Sequence, residues 1–434
     1  MNSYRSLRIA LLGAGSVGAQ VARLLLEHGD ELAARVGAPL ELVGIGVRDV
    51  DAKRDVELPR ELLTDDLATL VAGADIVVEL LGGIEPARTL LLDALAAGAD
   101  VVTANKALVA AHGPELFQAA ETVGAQVAYE AAVGGAIPII RPLEQSLAGD
   151  RVMRVMGIVN GTTNFILDRM HTEGSSLADA LAIATELGYA EADPTADIEG
   201  YDAASKATIL ASLAFHTEVP AEVVHREGIT AVTDAMVAQA ERNGRVLKLV
   251  AICERLEDTS GSGAGDRVSA RVHPVSLPST HPLAAVREAK NAIFVTAESA
   301  GDLMFYGAGA GGPETASAVL GDLVSIARRH VLGGPGAAAS THADLEIAPF
   351  GDVLARHELG LTVADRPGVL ASVARLFAEH DVSVESVRQD PGDGFASLVL
   401  GTHTSTEARI SAVLRALGAH DDVERIDSVI RLID

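Results

Sequence analysis

The stretch LRIALLGAGSVGAQVARLLLE (7–27) decides the fold of this chain. Its first six residues are an apolar run that predicts a buried strand, and the apolar spacing after Ala19 predicts an amphipathic helix. Between the two lies GAGSVG (13–18), which matches the GxGxxG pattern. A strand, this glycine-rich turn and a helix in succession are typical of the first βαβ unit of a dinucleotide-binding fold.

Each glycine of this turn has its own expected task. Gly13 makes the tight turn, Gly15 lets the backbone approach a pyrophosphate, and Gly18 allows close packing of the helix on the strand. The backbone amides of Ser16 and Val17, at the positive end of the helix dipole, are then expected to face the phosphates. A glycine-rich turn without a ligand is the alternative that the motif alone leaves open.

Strands and helices alternate through the residues that follow. Further apolar runs that predict strands lie at 41–47, 74–80, 99–104 and 126–131. Strands that alternate with helices form a parallel sheet covered on both faces, so we expect a doubly wound α/β Rossmann domain here.

The residues that end the second strand bear on nucleotide preference. An acidic residue there binds the ribose hydroxyls of NAD, whereas an arginine accommodates the 2′-phosphate of NADP. The segment VRDVDAKRD (47–55) presents Arg48 first, with Asp49 beside it and Lys53 and Arg54 nearby. We therefore favour NADP, with NAD also accepted, although Lys53 and Arg54 could be ordinary surface charges.

Beyond residue 151 the pattern changes to long helices followed by longer strands, which predicts an α+β domain with a mixed sheet. The helices and then the strands are predicted at 176–187, 202–215, 232–242, 249–256, 267–275 and 291–298. The segment 257–266 between two of these strands is rich in Gly and Ser, so we expect a flexible hairpin tip there.

The C-terminal part of the chain reads in the order strand, helix, strand, strand, helix, strand. This is the split βαβ order of ferredoxin-like domains. The expected organisation therefore has four parts: a Rossmann domain at 1–141 completed by a helix at 312–331, an α+β domain at 142–311, a linker at 332–354, and a ferredoxin-like domain at 355–434.

Composition disfavours several classes of function. The formal net charge of -26 disfavours nucleic acid and anionic membranes as partners, and no apolar run is long enough to predict a membrane span. The N-terminus runs directly into the first strand, which argues against a signal peptide. Cys253 is the single cysteine, which excludes an internal disulfide and a cysteine-cluster metal site. We expect a cytoplasmic protein.

A second informative stretch is GYAEADPTADIEGYDAASK (188–206), which is rich in carboxylates and ends on a lysine. Asp202 and Lys206 are four positions apart and share one face if the segment is helical. A lysine held among carboxylates can move a proton, and the carboxylates can hold an ammonium group. A polar loop with a solvated Asp–Lys pair is the alternative that these residues leave open.

Other motifs accompany these two stretches in a fixed order. They are VVELLGG (77–83), VVTANKALVA (101–110), YEAAVGGAIPII (129–140), IVNGTTNFIL (158–167) and GAGAGGPETASAV (307–319). Over residues 5–331 the chain resembles the homoserine dehydrogenases, in their monofunctional form, and 356–434 resembles an ACT domain, a small amino-acid-sensing module. The resemblance implies reversible reduction of L-aspartate 4-semialdehyde to L-homoserine with NAD(P)H, at the branch point towards threonine, isoleucine and methionine.

The resemblance also implies that the domain at 142–311 binds the substrate, carries out catalysis and forms the dimer, and it implies roles for particular residues. Lys206 matches the proton donor and acceptor, and Lys106 matches a lysine that lies between nicotinamide and substrate. Glu191 and Asp202 match substrate contacts, and Asp197 matches an acidic residue that helps to shape the site. Lys106 could instead be an ordinary surface lysine.

Further matches concern the cofactor and a cation. The backbone at Gly188 and Gly309 would lie close to the cofactor. A monovalent-cation site, with sodium as the expected ion, would be built mostly from backbone carbonyls of Glu130, Val133, Gly135 and Ile137. The alternative for Glu130 is that it caps the next helix.

The C-terminal turn ADRPGVL (364–370) joins a strand to a helix. In ACT domains such turns receive amino acids, and the resemblance implies a regulatory site at Asp365, Gly368, Val369 and Leu370, with threonine as the expected effector. We expect a homodimer or homotetramer, and a dimerisation module without a ligand is the alternative. A non-catalytic amino-acid sensor and a related dehydrogenase for another small amino acid are the competing functions.

Overall fold

The computed structural model describes residues 4–54, 56–257, 265–333, 341–392 and 394–433. The strands are β1 (Leu7–Leu12), β2 (Leu40–Gly46), β3 (Leu63–Thr64), β4 (Ile76–Glu79), β5 (Asp100–Thr103), β6 (Val127–Ala128), β7 (Val152–Ile158), β8 (His225–Arg226), β9 (Arg245–Leu256), β10 (Arg267–Pro278), β11 (Lys290–Ala297), β12 (Gly301–Ala308), β13 (Glu346–Ile347), β14 (Leu354–Ala364), β15 (Val384–Pro391), β16 (Phe395–Thr402), β17 (Ser405–Thr406) and β18 (Val423–Leu432). The α-helices are α1 (Ser16–Glu27), α2 (Gly29–Val36), α3 (Leu67–Ala72), α4 (Ala87–Ala96), α5 (Lys106–Val123), α6 (Gly161–Glu173), α7 (Leu177–Glu186), α8 (Thr195–Ile198), α9 (Tyr201–Phe215), α10 (Asp234–Arg242), α11 (Gly312–Leu332), α12 (Val369–Glu379) and α13 (Glu407–Gly418).

The chain forms two compact units. The first comprises Met1–Val155, Ser205–Glu222 and Lys290–Asp344, and the second comprises Met156–Ala204, Val223–Ala289 and Leu345–Asp434.

The first unit contains a parallel sheet in the order β3-β2-β1-β4-β5-β6. Alternate residues of β1 point to opposite faces: Leu7, Ile9 and Leu11 pack with α1, α2 and α11, whereas Ala10 and Leu12 pack with α4 and α5. Each fully buried leucine or isoleucine contributes about 1.5–3 kcal/mol to folding. The predicted doubly wound Rossmann sheet is therefore confirmed.

The second unit is built around the long antiparallel pair β9 and β10. The other edge of β10 bonds in succession to three parallel partners: β13 at Arg267–Val268, β8 at Arg271–Val272, and β18 at Val275–Ser276. From β18 the sheet continues through β14 and β16 to β15. The C-terminal strands therefore extend the same mixed sheet.

The C-terminal elements follow the predicted split βαβ order, β14-α12-β15-β16-α13-β18, with the short β17 added. Their core includes Leu359, Leu361, Val373, Phe377, Leu398 and Leu417, all fully or almost fully buried. The predicted fold class, a Rossmann domain with a mixed-sheet domain and a ferredoxin-like ACT domain, is confirmed.

Several elements differ from the sequence prediction. The strand predicted at 126–131 is only Val127–Ala128, because the chain turns into a 3-10 helix at Glu130–Ala132. β12 was not predicted; it pairs with β11 and alternates between exposed and half-buried residues.

Parts of two predicted segments cannot be compared with the structure. Most of the expected hairpin tip at 257–266 and part of the expected linker at 332–354 lie outside the described residues. Within the described part of the chain, no helix is long and apolar enough to cross a membrane.

Candidate functional site

The carboxyl ends of the parallel strands in the first unit carry the nucleotide-binding motif. Gly15 precedes α1 and no side chain caps this helix start, so the first-turn amides can bind an anion. Gly13 has a φ of 103°, and a Cβ there would lie 2.6 Å from the carbonyl oxygen of Leu80. A Cβ on Gly18 would lie 2.1 Å from the carbonyl oxygen of Gly13, whereas Gly15 faces open space. The turn therefore fits a pyrophosphate at Gly15, and Ser16 and Val17 occupy the first turn of α1.

Arg48 is exposed two residues after β2, the strand next to β1. The neighbouring Asp49 is engaged with its own turn: its Oδ1 accepts the amide of Asp51 at 2.8 Å, and its carbonyl oxygen accepts Arg54 at 2.6 Å. Arg48 and Asp49 are both exposed at this strand end, and Asp49 also holds the turn that follows.

A network of polar side chains fixes the loop that follows β4. The buried carboxylate of Glu79 accepts the amide of Leu81 at 2.7 Å and the hydroxyl of Thr103 at 2.6 Å. Asn105 donates to the carbonyl oxygen of Gly83 at 2.6 Å and accepts the amide of Leu108, which caps α5. Lys106 is the first residue of α5 and is exposed at this edge of the sheet. The sequence analysis did not single out Asn105, although the quoted TANK motif contains it.

The segment predicted to bind a cation shows a different use for the Glu130 side chain. Its fully buried carboxylate accepts the amides of Ile139 and Ile140 at 2.5 and 2.7 Å, and the Nε of Arg141 at 2.8 Å. It therefore caps the following helical turn, so only backbone carbonyls remain for an ion.

The segment with the predicted cation-binding carbonyls (130–137) lies next to the glycine-rich loop around Gly309, which precedes α11. Gly135 has a φ of 57°, and a Cβ there would lie 2.5 Å from the carbonyl oxygen of Gly309. The amide of Ala136 donates to the carbonyl of Ala308 at 3.1 Å. Val133 and Ile137 are buried in the same segment. Within the described residues, no group of three or more His, Cys, Asp or Glu side chains could hold a metal ion.

In the second unit, Asn160 brings two of the predicted substrate residues together. Its Nδ2 donates to Asp197 Oδ1 at 2.7 Å and to Asp202 Oδ2 at 2.9 Å. Its Oδ1 accepts the amide of Thr163 at 2.9 Å and thereby caps α6. The amide group therefore uses both of its hydrogens and its oxygen. The sequence analysis quoted the motif around Asn160 but assigned this residue no role.

Asp202 and Lys206 lie one turn apart at the start of α9, as the spacing predicted. Both are buried, with 9% and 8% of their surface exposed. A solvated surface pair, the alternative that the sequence left open, does not fit this burial.

The acidic stretch before α9 contains residues of different exposure. Glu191 and Gly188 are exposed. Thr162 donates to the carbonyl oxygen of Tyr189 at 2.7 Å and fixes the turn between them. Asp193 accepts the amide of Thr195 at 3.1 Å and acts as a local cap.

The C-terminal turn surrounds a cavity of about 370 Å³. All four residues predicted for the regulatory site contribute to its lining, which consists of Val363, Asp365, Arg366, Pro367, Gly368, Val369, Leu370, Gln389 and Leu398. Gly368 precedes α12 with a φ of 97°, a conformation that favours glycine, and no side chain caps this helix start.

A Rossmann sheet with an open glycine turn, a buried carboxylate–lysine helix and a C-terminal ferredoxin-like module define a nicotinamide-dependent oxidoreductase with an additional small domain. Family models agree: the homoserine dehydrogenase model matches residues 138–324, the homoserine dehydrogenase NAD-binding domain matches 13–130, and the ACT domain matches 357–422. The chain belongs to the homoserine dehydrogenase family and is an oxidoreductase that binds NAD(P).

Relatives cover nearly the whole chain. A homoserine dehydrogenase of Corynebacterium glutamicum is 54% identical over 98% of this chain and 95% of its own length. One of Mycobacterium tuberculosis is 55% identical over 98% and 97%, respectively. The crystal structure of a homoserine dehydrogenase from Thiobacillus denitrificans superimposes with a TM-score of 0.93 at 38% identity and covers 100% of both chains. A hyperthermophilic archaeal homoserine dehydrogenase in complex with NADPH matches 76% of this chain and 99% of its own, with a TM-score of 0.61 at 29% identity.

Proposed function

We propose that Lys206 is the proton donor and acceptor in the reversible reduction of L-aspartate 4-semialdehyde to L-homoserine. The observation that carries this proposal is the burial of Lys206 one helical turn after Asp202, which Asn160 anchors. Bound NAD(P)H supplies the hydride, and the protein positions and polarises the substrate. Lys206 gives a proton to the carbonyl oxygen as negative charge develops there, and in the reverse direction it takes the hydroxyl proton of homoserine.

The carboxylates have the complementary task. Asp202 and Glu191 bind the α-ammonium of the substrate, and Asp197 holds Asp202 in place through their shared partner Asn160. Lys106, at the carboxyl end of the parallel sheet, adds positive charge between nicotinamide and substrate. The direct test is NADP reduction by homoserine and NADPH oxidation by aspartate semialdehyde with the purified chain.

NADP is the proposed preferred nucleotide, with NAD also accepted. The exposed Arg48 after β2 supports this preference, and one related archaeal enzyme was crystallised with NADPH. Gly188 and Gly309 complete the proposed cofactor contacts. We expect Arg48→Ala to raise the KM for NADP about tenfold and to leave the KM for NAD within about twofold, since one lost phosphate contact costs about 1.4 kcal/mol. Arg35→Ala on α2 is the matched control, and an equal effect on both nucleotides would argue against the assignment.

A monovalent cation, with sodium as the expected ion, is proposed to bind the backbone carbonyls of Glu130, Val133, Gly135 and Ile137. Two observations support this site: Gly135 has a positive φ, and it lies close to the carbonyl of Gly309 in the proposed cofactor loop. A cation at these carbonyls would stiffen the backbone beside that loop. Activity measured in sodium, potassium and tetramethylammonium salts at equal ionic strength is the test. Equal rates in all three salts would contradict the proposal.

Threonine is the proposed feedback effector of the ACT module. In the C-terminal cavity, Asp365 can bind an ammonium group, and the amide end of α12 near Gly368 and Val369 can bind a carboxylate. Leu370 supplies apolar contact. We expect millimolar threonine to inhibit the wild type and Asp365→Ala to abolish this inhibition, whereas Glu379→Gln, at the far end of α12, keeps it. Inhibition that survives in Asp365→Ala would rule out this site.

The remaining parts of the proposal concern the setting of the enzyme. They are a role in threonine, isoleucine and methionine biosynthesis, a cytoplasmic location, a homodimer or homotetramer, and the four-part domain organisation with boundaries at 141, 311, 331 and 354. The ACT match supports a regulated biosynthetic enzyme. Genetic complementation of a homoserine auxotroph, cell fractionation and light scattering test these points.

A further inference from the structure

Arg431, on the last strand β18, is buried among carboxylates from distant parts of the second unit. Its Nη1 and Nη2 donate to Glu227 at 2.7 Å each, and its Nε donates to Glu407 at 2.7 Å. The guanidinium also lies 5.2 Å from the ring centroid of Phe350. A planar guanidinium can donate to two carboxylates at once through its three nitrogens, which neither lysine nor a neutral side chain can do.

Glu227 directly follows β8, which connects Arg431 with a different region. The amide of Glu227 donates to the carbonyl oxygen of Val272 on β10 at 2.8 Å, so this segment is fixed to the central strand. Its neighbour Arg226 donates to the carbonyl oxygen of Glu199. The Arg226 guanidinium lies 3.5 Å from the ring centroid of Tyr201.

The two residues that follow Glu227 contact the carbonyl oxygen of Ile198, the residue before Glu199. The amide of Ile229 donates to the carbonyl oxygen of Ile198 at 2.7 Å. A Cβ on Gly228 would lie 2.2 Å from that oxygen, so only glycine fits at this approach. The segment 226–229 therefore contacts the connection from the last residue of α8 to the first residue of α9, which is called the loop 198–201 from here on.

This loop is the short connection between Asp197 and Asp202. It spans four residues, and Asn160 ties both of its flanking carboxylates. A shift of the loop would move Asp197 relative to Asp202. It would then weaken one of the two hydrogen bonds, because Asn160 offers a single hydrogen to each carboxylate. The geometry of the proposed ammonium-binding group therefore depends on the segment 226–229.

We propose that Arg431 is a positioning residue for the substrate: through Glu227 and the segment 226–229 it holds the loop 198–201, and thereby Asp197 and Asp202, in the geometry that binds homoserine. The inference rests on the proposed substrate role of the two aspartates. Its consequence is that the C-terminal module contributes to substrate binding even when no effector is present.

The test compares steady-state kinetics of Arg431→Met, Glu227→Gln and Arg226→Met in the full-length enzyme. We expect each variant to raise the KM for homoserine about tenfold, to change kcat less than about threefold, and to leave the KM for NADP unchanged, as a loss of about 1.4 kcal/mol in substrate binding alone would do. The double variant Arg431→Met/Arg226→Met should resemble the single variants, because both act through the same loop. Arg425→Met removes an exposed arginine of the same strand and is the matched control.

Wild-type KM for homoserine in Arg431→Met would overturn the inference. If Arg431→Met does not fold, Glu227→Gln decides, since it weakens the same ion pair at a residue that is only half-buried. Asp202→Asn separates the two proposals. A raised KM in Asp202→Asn without one in the arginine variants would remove the positioning role alone, whereas an unchanged KM in Asp202→Asn would remove the substrate role of Asp202 and the inference with it.

Discussion

Nδ2 of Asn160 lies 2.9 Å from Oδ2 of Asp202, although the two residues are 42 positions apart in the sequence. The same nitrogen holds Asp197, so one neutral amide keeps two carboxylates side by side. Two carboxylates at such a distance repel each other unless shared donors or a cation offset their charge. The shared donor keeps the two carboxylates together, and the proposed binding of a substrate ammonium uses this arrangement.

Replacing Asn160 tests this arrangement. We expect Asn160→Ser to keep a hydroxyl that caps α6 but to lose the bridge between Asp197 and Asp202, so the KM for homoserine should rise about tenfold, equivalent to 1.4 kcal/mol. Ser176→Ala removes the cap of the neighbouring α7 without touching the carboxylates, and it should cost about 1 kcal/mol of stability but no substrate affinity. Equal KM values for the two variants would show that Asn160 matters only as a helix cap.

Lys206→Ala tests the proton transfer. The change should lower kcat by about 10²- to 10⁴-fold, the usual contribution of a general acid or base. Binding of NADP, measured by fluorescence titration, should remain as in the wild type, because the change leaves the glycine turn at 13–18 intact. A kcat within a few-fold of the wild type would contradict the proposed role.

Gly15 and Gly18 should respond differently to alanine. A Cβ at Gly15 meets nothing within 4 Å, so Gly15→Ala should keep the melting temperature but weaken NADP binding by blocking the approach of the pyrophosphate. A Cβ at Gly18 would lie 2.1 Å from the carbonyl oxygen of Gly13, so Gly18→Ala should destabilise the fold itself. Gly29→Ala, at the open start of α2, is the control that should change neither property. Unchanged NADP affinity in Gly15→Ala would argue against a pyrophosphate at this turn.

Lys248 offers a test by pH. Its fully buried Nζ donates to Asn164 at 2.8 Å and to the carbonyl oxygen of Val286 at 2.6 Å. Burial lowers the pKa of its ammonium from 10.5 to about 8. Between these values the unfolded chain binds the proton that the folded chain has released, so the free energy of unfolding should rise with pH by on the order of 3 kcal/mol from this residue.

The rise in the free energy of unfolding with pH should be measured as a difference between the wild type and a variant that lacks Lys248. Urea unfolding of the wild type and Lys248→Met at pH 7 to 10 should show a gap that widens as the pH increases, because the variant lacks this contribution. Lys290→Met, which removes an exposed lysine, should follow the wild type at every pH. A constant gap would show that Lys248 has an ordinary pKa in the folded protein.

Local patterns predicted much of the fold. The apolar run at 7–12 became β1, and the helical spacing of 202–215 became α9, because each element buries the face that its own periodicity defines. β12 was missed because GDLMFYGA contains glycine and aspartate and no β-branched residue, and it depends on pairing with β11.

The local setting of a candidate residue was predictable where a motif contains it: Gly15 lies at the start of α1, and Lys206 lies one turn after Asp202 on α9. It was not predictable where a role depends on contacts between distant segments. Arg431 and Glu227 are 204 positions apart, and no local pattern marks them as partners. The Glu130 carboxylate likewise meets amides that only the folded turn brings near.

The way in which β18 joins β10 bears on how the proposed threonine inhibition could be removed. Truncation of the chain before β14 would remove β18, whose backbone pairs with Val275 and Ser276 of β10. It would also remove Arg431, whose guanidinium binds the carboxylate of Glu227. Loss of inhibition in such a truncated protein would then have two inseparable causes, the missing effector site and the exposed edge of the sheet. Deregulated enzymes are better sought by single substitutions around the 370 Å³ cavity, with the terminal strand left intact.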